Sequence, residues 1–174
     1  MELVDNKPVT RPVRRPFVTE GEFGVLISRI FGAKSQATIT WNRWDTWQNK
    51  RVAVFDFAVD RAHSSWRLTL GVVGPVTVPY HGSVYAQPET GAVWKIESIV
   101  DNTPELKLES SQTIVEYQEI QIGTALHLLP VSATDTVRLQ HDQIRNELEF
   151  KDYRKFEAES TIKFGTADQQ PEQH

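Results

Sequence analysis

The side chains able to do acid–base, metal or nucleophilic chemistry are scattered along this chain. The five histidines are His63, His81, His127, His141 and His174. None belongs to a recognised metal-ligand spacing. His141-Asp142 is adjacent in sequence but falls in a polar loop. There is no cysteine, which removes disulfides, thiolate catalysis and Cys-based zinc sites together. Gly82-Ser83 does not complete a G-x-S-x-G elbow, and His63-Ser64-Ser65 reads as a polar turn. Glu147 and Glu149, like Glu157 and Glu159, stand two apart, so each pair shares one face of a strand. Paired acids can do acid–base work. Here Lys151, Arg154 and Lys163 lie close by, and cross-strand ion pairing explains them more simply. The reading is therefore non-enzymatic, with no catalytic set, no metal and no cofactor.

Aromatic residues carry the remaining signal. Trp41, Trp44, Trp47, Trp66 and Trp94 are many for 174 residues. With Phe55 and Phe57 they either build an aromatic core or line a cavity for an apolar ligand. Trp44 and Trp47 lie beside an expected turn, where full burial is harder, so a rim or interaction patch is the further option.

Composition bounds the class. The length suits one domain that needs no metal or disulfide staple. The net charge of −4, from 19 basic and 23 acidic residues, argues against a dedicated nucleic-acid binder. No apolar run is long enough to span a bilayer, so no transmembrane segment is expected. Met1-Glu2-Leu3-Val4-Asp5 lacks a basic region followed by an apolar one, so no signal peptide opens the chain.

The elements that must position these side chains follow from periodicity. Residues 1–16 hold prolines at 8, 12 and 16 with Arg11, Arg14 and Arg15 between them, and read as an extended arm. It is either a solvated linker or a grip for an anionic partner. Thr19-Glu20-Gly21-Glu22 is a capping-box pattern. Phe23, Leu26, Ile27, Ile30 and Phe31 then share one helical face, and Gly32 supplies a stop. From Ala37 the period becomes two. Ile39 and Trp41 alternate in a first strand, and Gln48-Asn49-Lys50 is a turn. Ala53, Phe55, Phe57 and Val59 share one face of a second strand, and Trp66, Leu68 and Leu70 that of a third. These three look like consecutive antiparallel strands. Strands follow at 82–86 and 92–100 around a Pro88-Glu89-Thr90-Gly91 turn, with Trp94, Ile96 and Ser98 on one face. Two longer strands, 106–122 and 125–139, hinge at Gly123. Phe156, Ala158, Ser160, Ile162 and Phe164 alternate in a last strand. The expected fold is mainly β, or α+β: a strongly curved antiparallel sheet, a half-barrel, packed around one short amphipathic helix. It comprises a single domain over 17–164 and a disordered tail over 165–174.

Three stretches resemble a known group. Tyr80-His81-Gly82-Ser83-Val84-Tyr85-Ala86-Gln87-Pro88-Glu89-Thr90-Gly91-Ala92-Val93-Trp94-Lys95-Ile96 looks like a hairpin common in proteins with the lipoprotein-carrier fold, that of the outer-membrane lipoprotein localisation factor. Val115-Glu116-Tyr117-Gln118-Glu119-Ile120-Gln121-Ile122-Gly123 with Leu128-Leu129-Pro130-Val131 is similar to a strand pair of that fold. Residues 146–156, with Glu159-Ser160-Thr161-Ile162, resemble uncharacterised exported proteins of acidobacterial type. The resemblance implies an open half-barrel closed by helix, a periplasmic or cell-envelope setting, and a non-catalytic role. Carriers of this fold have further elements ahead of the point where this chain starts, so Glu2-Leu3-Val4 would be a strand stub, in a fragment or a shorter variant.

The function expected on these grounds is an envelope domain that holds a lipid or acylated partner in an apolar groove between helix and sheet. Leu26, Ile30, Trp41, Phe55, Phe57, Trp66 and Trp94 would line that groove. The alternative is a structural or protein-interaction module with a filled core, meeting a protein partner through a sheet edge or through Trp44 and Trp47.

Overall fold

The computed structural model describes residues 25–70 and 73–153, together with the backbone of β1 (Leu3–Val4) and β2 (Lys7–Pro8). Those two short strands pair antiparallel within the segment expected to be an extended arm. The rest of that arm, the capping box, the expected strand at 156–164 and the tail lie outside the described residues.

The helix α1 is described over Val25–Phe31. Its i, i+4 pair Leu26 and Ile30 is buried, as the apolar stripe requires. Phe31, expected on the same stripe, is instead exposed at the helix end. The last-turn carbonyls, which have no partner within a helix, are met from outside it. Gly32 N–H donates to Ser28 O at 2.9 Å, and Ser35 Oγ donates to Ile30 O at 2.7 Å. The Tyr80 hydroxyl donates to Arg29 O at 2.8 Å, tying the helix to the sheet.

The main sheet has seven antiparallel strands: β3 (Thr38–Trp47), β4 (Lys50–Val59), β7 (Tyr80–Ala86), β8 (Val93–Val100), β9 (Leu108–Ile122), β10 (Ala125–Leu139) and β11 (Gln143–Glu149). Their order is β11-β10-β9-β8-β7-β4-β3. The sheet is open and curved, not closed into a barrel. Turn chemistry accounts for the short connections. Gln48 and Asn49 both have positive φ, 47° and 62°, as a two-residue hairpin loop demands. Gly91 and Gly123 take φ of 72° and 62° in the β7–β8 and β9–β10 turns.

The run Trp66 to Leu70 is not a strand of this sheet. Only β5 (Arg67–Leu68) is extended, and it pairs with β6 (Val76–Thr77) in a separate two-stranded ribbon. β4 pairs with β7 instead. The alternation read in Trp66, Leu68 and Leu70 is real, since all three are buried, but they cap the core from above.

Pairing register defines the two faces, because directly opposed residues point the same way. One row crosses the whole sheet: Ile39, Phe57, Gly82, Ser98, Thr113, Asp135 and Asn146. This face carries the main core, in which Leu26 and Ile30 of α1 pack with Phe57, Val59, Trp66 and Tyr80. Gly82 leaves β8 room beside β7, since a Cβ there would stand 1.9 Å from Glu97 O.

Candidate functional site

The seven residues expected to line a groove separate into three groups. Leu26, Ile30, Phe57 and Trp66 belong to one packed core and are buried to within 7 % of full exclusion from solvent. All four belong to the hydrophobic cluster that joins α1 to the sheet. Arg29 completes the packing, its guanidinium 4.9 Å from the Trp66 ring centre.

Trp94 lies on the opposite face. The register passes from Tyr85 opposite Lys95 to Ala86 opposite Val93, so Trp94 is the extra residue of a β-bulge. The bulge turns it away from Ile96 and Ser98, with which strict alternation groups it. Trp94 packs with Trp47, Tyr85, Val52 and Val54 in a second, smaller core. Cations cover this cluster. Lys50 Nζ is 4.8 Å from the Trp94 ring centre, and Lys95 Nζ is 4.6 Å from that of Trp47 and 4.8 Å from that of Tyr85. Lys95 is also ion-paired with Glu97. These groups are mutually satisfied, which makes the cluster a structural unit.

Trp41 and Phe55 form the third group, at the β3 end of the helix-side face. Here a second bulge decides the geometry. Trp41 opposes Phe55, and Arg43 opposes Val54, so Asn42 is skipped. Asn42 Nδ2 donates to Asp56 Oδ2 at 2.7 Å, and Ser83 Oγ donates to Asp56 Oδ1 at 2.7 Å. The Asn42 amide, then the Ser83 hydroxyl, hold the Asp56 carboxyl below its ordinary value. The skipped residue brings Trp41 and Trp44 to one face, although they are three apart in sequence. Their rings meet edge to face with centres 5.0 Å apart, and Trp41 meets Phe55 in the same way at 5.5 Å. The Arg51 guanidinium lies 3.8 Å from the Trp44 ring centre.

This patch is open to solvent. Ile39, Trp41 and Trp44 are 44, 50 and 49 % exposed. They stand on β3, an edge strand of the sheet among the described residues. On the other face of the same strand Arg43 donates to Asp45 at 2.9 Å, and Thr46 N–H donates to Asp45 at 2.7 Å. The Thr46 amide, followed by Arg43, lowers the Asp45 pKa, and Asp45 in turn raises that of Arg43. The opposite edge among the described residues, β11, presents no comparable aromatic patch. Its outward residues carry the ion pairs Arg145–Glu147 and Glu149–Lys151.

A buried polar row lies inside the helix-side face. Thr113 Oγ1 donates to Asp135 Oδ1 at 2.6 Å, with both residues buried. Ser98 Oγ, Ser111 Oγ and the Tyr117 hydroxyl have no hydrogen-bond partner among the described residues. Burial pushes the Tyr117 hydroxyl up to about 12. Elsewhere His63 pairs with Asp60, and His81 with Asp101, both at the surface. No group of three or more potential metal ligands comes together among the described residues. Nor, among them, is any helix long and apolar enough to cross a membrane.

No family model matches the chain, and no curated protein or solved structure matches it.

Proposed function

We propose that this domain is a protein-interaction module that accepts an extended strand of a protein partner along the edge of β3. The observation that carries this reading is the contrast between the two edges of the sheet. Edge strands are normally blunted by charge, because their unpaired N–H and C=O groups invite pairing. β11 is blunted in this way by Arg145, Glu147 and Glu149. β3 also carries an ion pair, Arg43–Asp45, but it is ten residues long and on its other face presents Ile39, Trp41 and Trp44 half-exposed. Aromatic residues beside a few charges are what the centre of a protein interface holds. The 68° angle between the two indole rings offers no flat platform for stacking a sugar or a base.

The apolar-carrier reading has less geometric support. It needs a space between helix and sheet, and Leu26, Ile30, Phe57 and Trp66 are packed against one another there.

A photo-crosslinking side chain placed at Thr40 on β3, and separately at Arg145 on β11, tests the proposal. Adducts with polypeptide that form from Thr40, vanish with Trp44→Lys, and do not form from Arg145 support it. Equal yields from the two edges, or yields indifferent to Trp44→Lys, contradict it.

A further inference from the structure

Resting on that reading of the β3 edge, we infer that the partner strand is β3 of a second copy of this chain, paired antiparallel about a two-fold axis at Trp44. In an isologous pairing each contact occurs twice, so the edge must complement itself. Around Trp44 it does. Arg43 and Asp45 flank it on the same side of the strand. An axis through Trp44 sets Arg43 opposite Asp45 of the second copy, and Asp45 opposite its Arg43. The contact that already joins them within one strand, at 2.9 Å, becomes a four-membered network of alternating charge. On the helix-side face Trp44 then meets Trp44 of the second copy, beneath the Arg51 guanidinium that lies 3.8 Å from its ring centre. The two half-exposed indoles lose their water beneath the Arg51 guanidinium of each copy.

The β11 edge supplies an internal comparison. Arg145 and Glu147 flank Asn146 in the same spacing and are also ion-paired. Exposed ion pairs contribute little by themselves. The pivot there is Asn146, which has no apolar surface to bury, whereas the β3 pivot is Trp44, 49 % exposed. Charge sets the register and the indole supplies the affinity, so β3 pairs and β11 does not.

Sedimentation velocity of the whole chain over a range of concentrations tests this. The wild-type chain is expected to pass from monomer to dimer as concentration rises. Arg43→Asp and Asp45→Arg each place like charges across the axis, and each should weaken the dimer by about tenfold or more. Mixing the two variants one to one restores opposite charges at both contacts. It should return dimerisation to within a few-fold of wild type, a recovery that a misfolded variant cannot give. Arg145→Glu on β11 should leave the dimer unchanged. A chain that stays monomeric at every concentration overturns the inference. So does a dimer indifferent to both β3 variants, or a mixture no better than its components. A monomer whose Thr40 position still crosslinks another polypeptide, in a Trp44-dependent way, removes the second copy and leaves the edge reading standing. A monomer without such adducts removes both.

Discussion

Trp41 and Trp44 lie three residues apart on one β-strand, yet their rings touch edge to face with centres 5.0 Å apart. Strict alternation would send them to opposite faces of the sheet. The bulge at Asn42 resolves this, and the Asp56 carboxylate holds the bulge by accepting hydrogen bonds from Asn42 and Ser83. Asp56 thus fixes an aromatic patch that it does not belong to.

Loss of that anchor should be measurable. Asn42→Ala is expected to cost about 0.5–1.5 kcal/mol in urea unfolding, the range of one hydrogen bond in a half-exposed setting. The pH dependence has a definite sign. The Asp56 pKa is lowered on folding, so its contribution is complete above the ordinary value near 3.8 and is lost as pH falls below it. Asp56→Asn should therefore flatten the acid limb of the stability profile below about pH 4. An unchanged acid limb would show that Asp56 does not hold the bulge in solution.

Tyr117 contributes most visibly to the alkaline limit. Burial raises its hydroxyl to about 12, against 10.0 for an exposed tyrosine. A raised pKa in the folded state means stability that is intact below pH 10 and is lost as pH rises through 12. The loss is on the order of 2–3 kcal/mol at the top of that range. Because the hydroxyl has no hydrogen-bond partner among the described residues, Tyr117→Phe should be neutral or stabilising at pH 7. It should also reduce the alkaline slope, to which Tyr80 and Tyr153, whose hydroxyls burial raises as well, contribute the rest. Destabilisation at pH 7 by more than about 1 kcal/mol would mean that the hydroxyl is bonded in the folded chain.

Gly82 is a steric requirement. A methyl group there would stand 1.9 Å from Glu97 O and 2.8 Å from its carbonyl carbon, both of them backbone atoms that cannot swing aside. Gly82→Ala should cost about 3 kcal/mol or more, the upper part of the overpacking range, and should disturb the β7–β8 pairing. Denaturant unfolding with amide exchange across β7 and β8 reads both effects. A loss below about 1 kcal/mol would contradict this close approach.

Much of this fold is legible in the sequence, and the exceptions have physical causes. Alternation in Ala53, Phe55, Phe57 and Val59 gives a true strand face, because no bulge interrupts β4 on its path to β7. Gln48-Asn49, Pro88 to Gly91 and Gly123 announce their turns, because each turn needs a conformation that few residues adopt. Trp94 was not legible. The bulge that re-aims it depends on how β8 meets β7, and no period in its own strand records that. The same holds for the Trp41–Trp44 contact. Trp66 to Leu70 shows a further limit. Alternation reports which residues are buried, but not whether they pair into the sheet or cover it. Strand order is equally silent, since β4 passes over β5 and β6 to pair with β7. Of the candidate site, the sequence singled out a sheet edge and Trp44 together with Trp47, but Trp47 packs on the other face with Tyr85 and Trp94 and is not part of the patch. The sequence could not reveal that the bulge unites Trp44 with Trp41, or that β3 is an edge strand among the described residues.

Pairing of β3 with β3 of a second copy can be followed by amide hydrogen exchange and mass spectrometry at low and high protein concentration. Exchange should slow with concentration in peptides from Thr38–Trp47 and stay unaffected in β11, and Asp45→Arg should abolish the slowing. Exchange in β3 that is independent of concentration, or slowing that appears at β11 instead, would contradict that pairing.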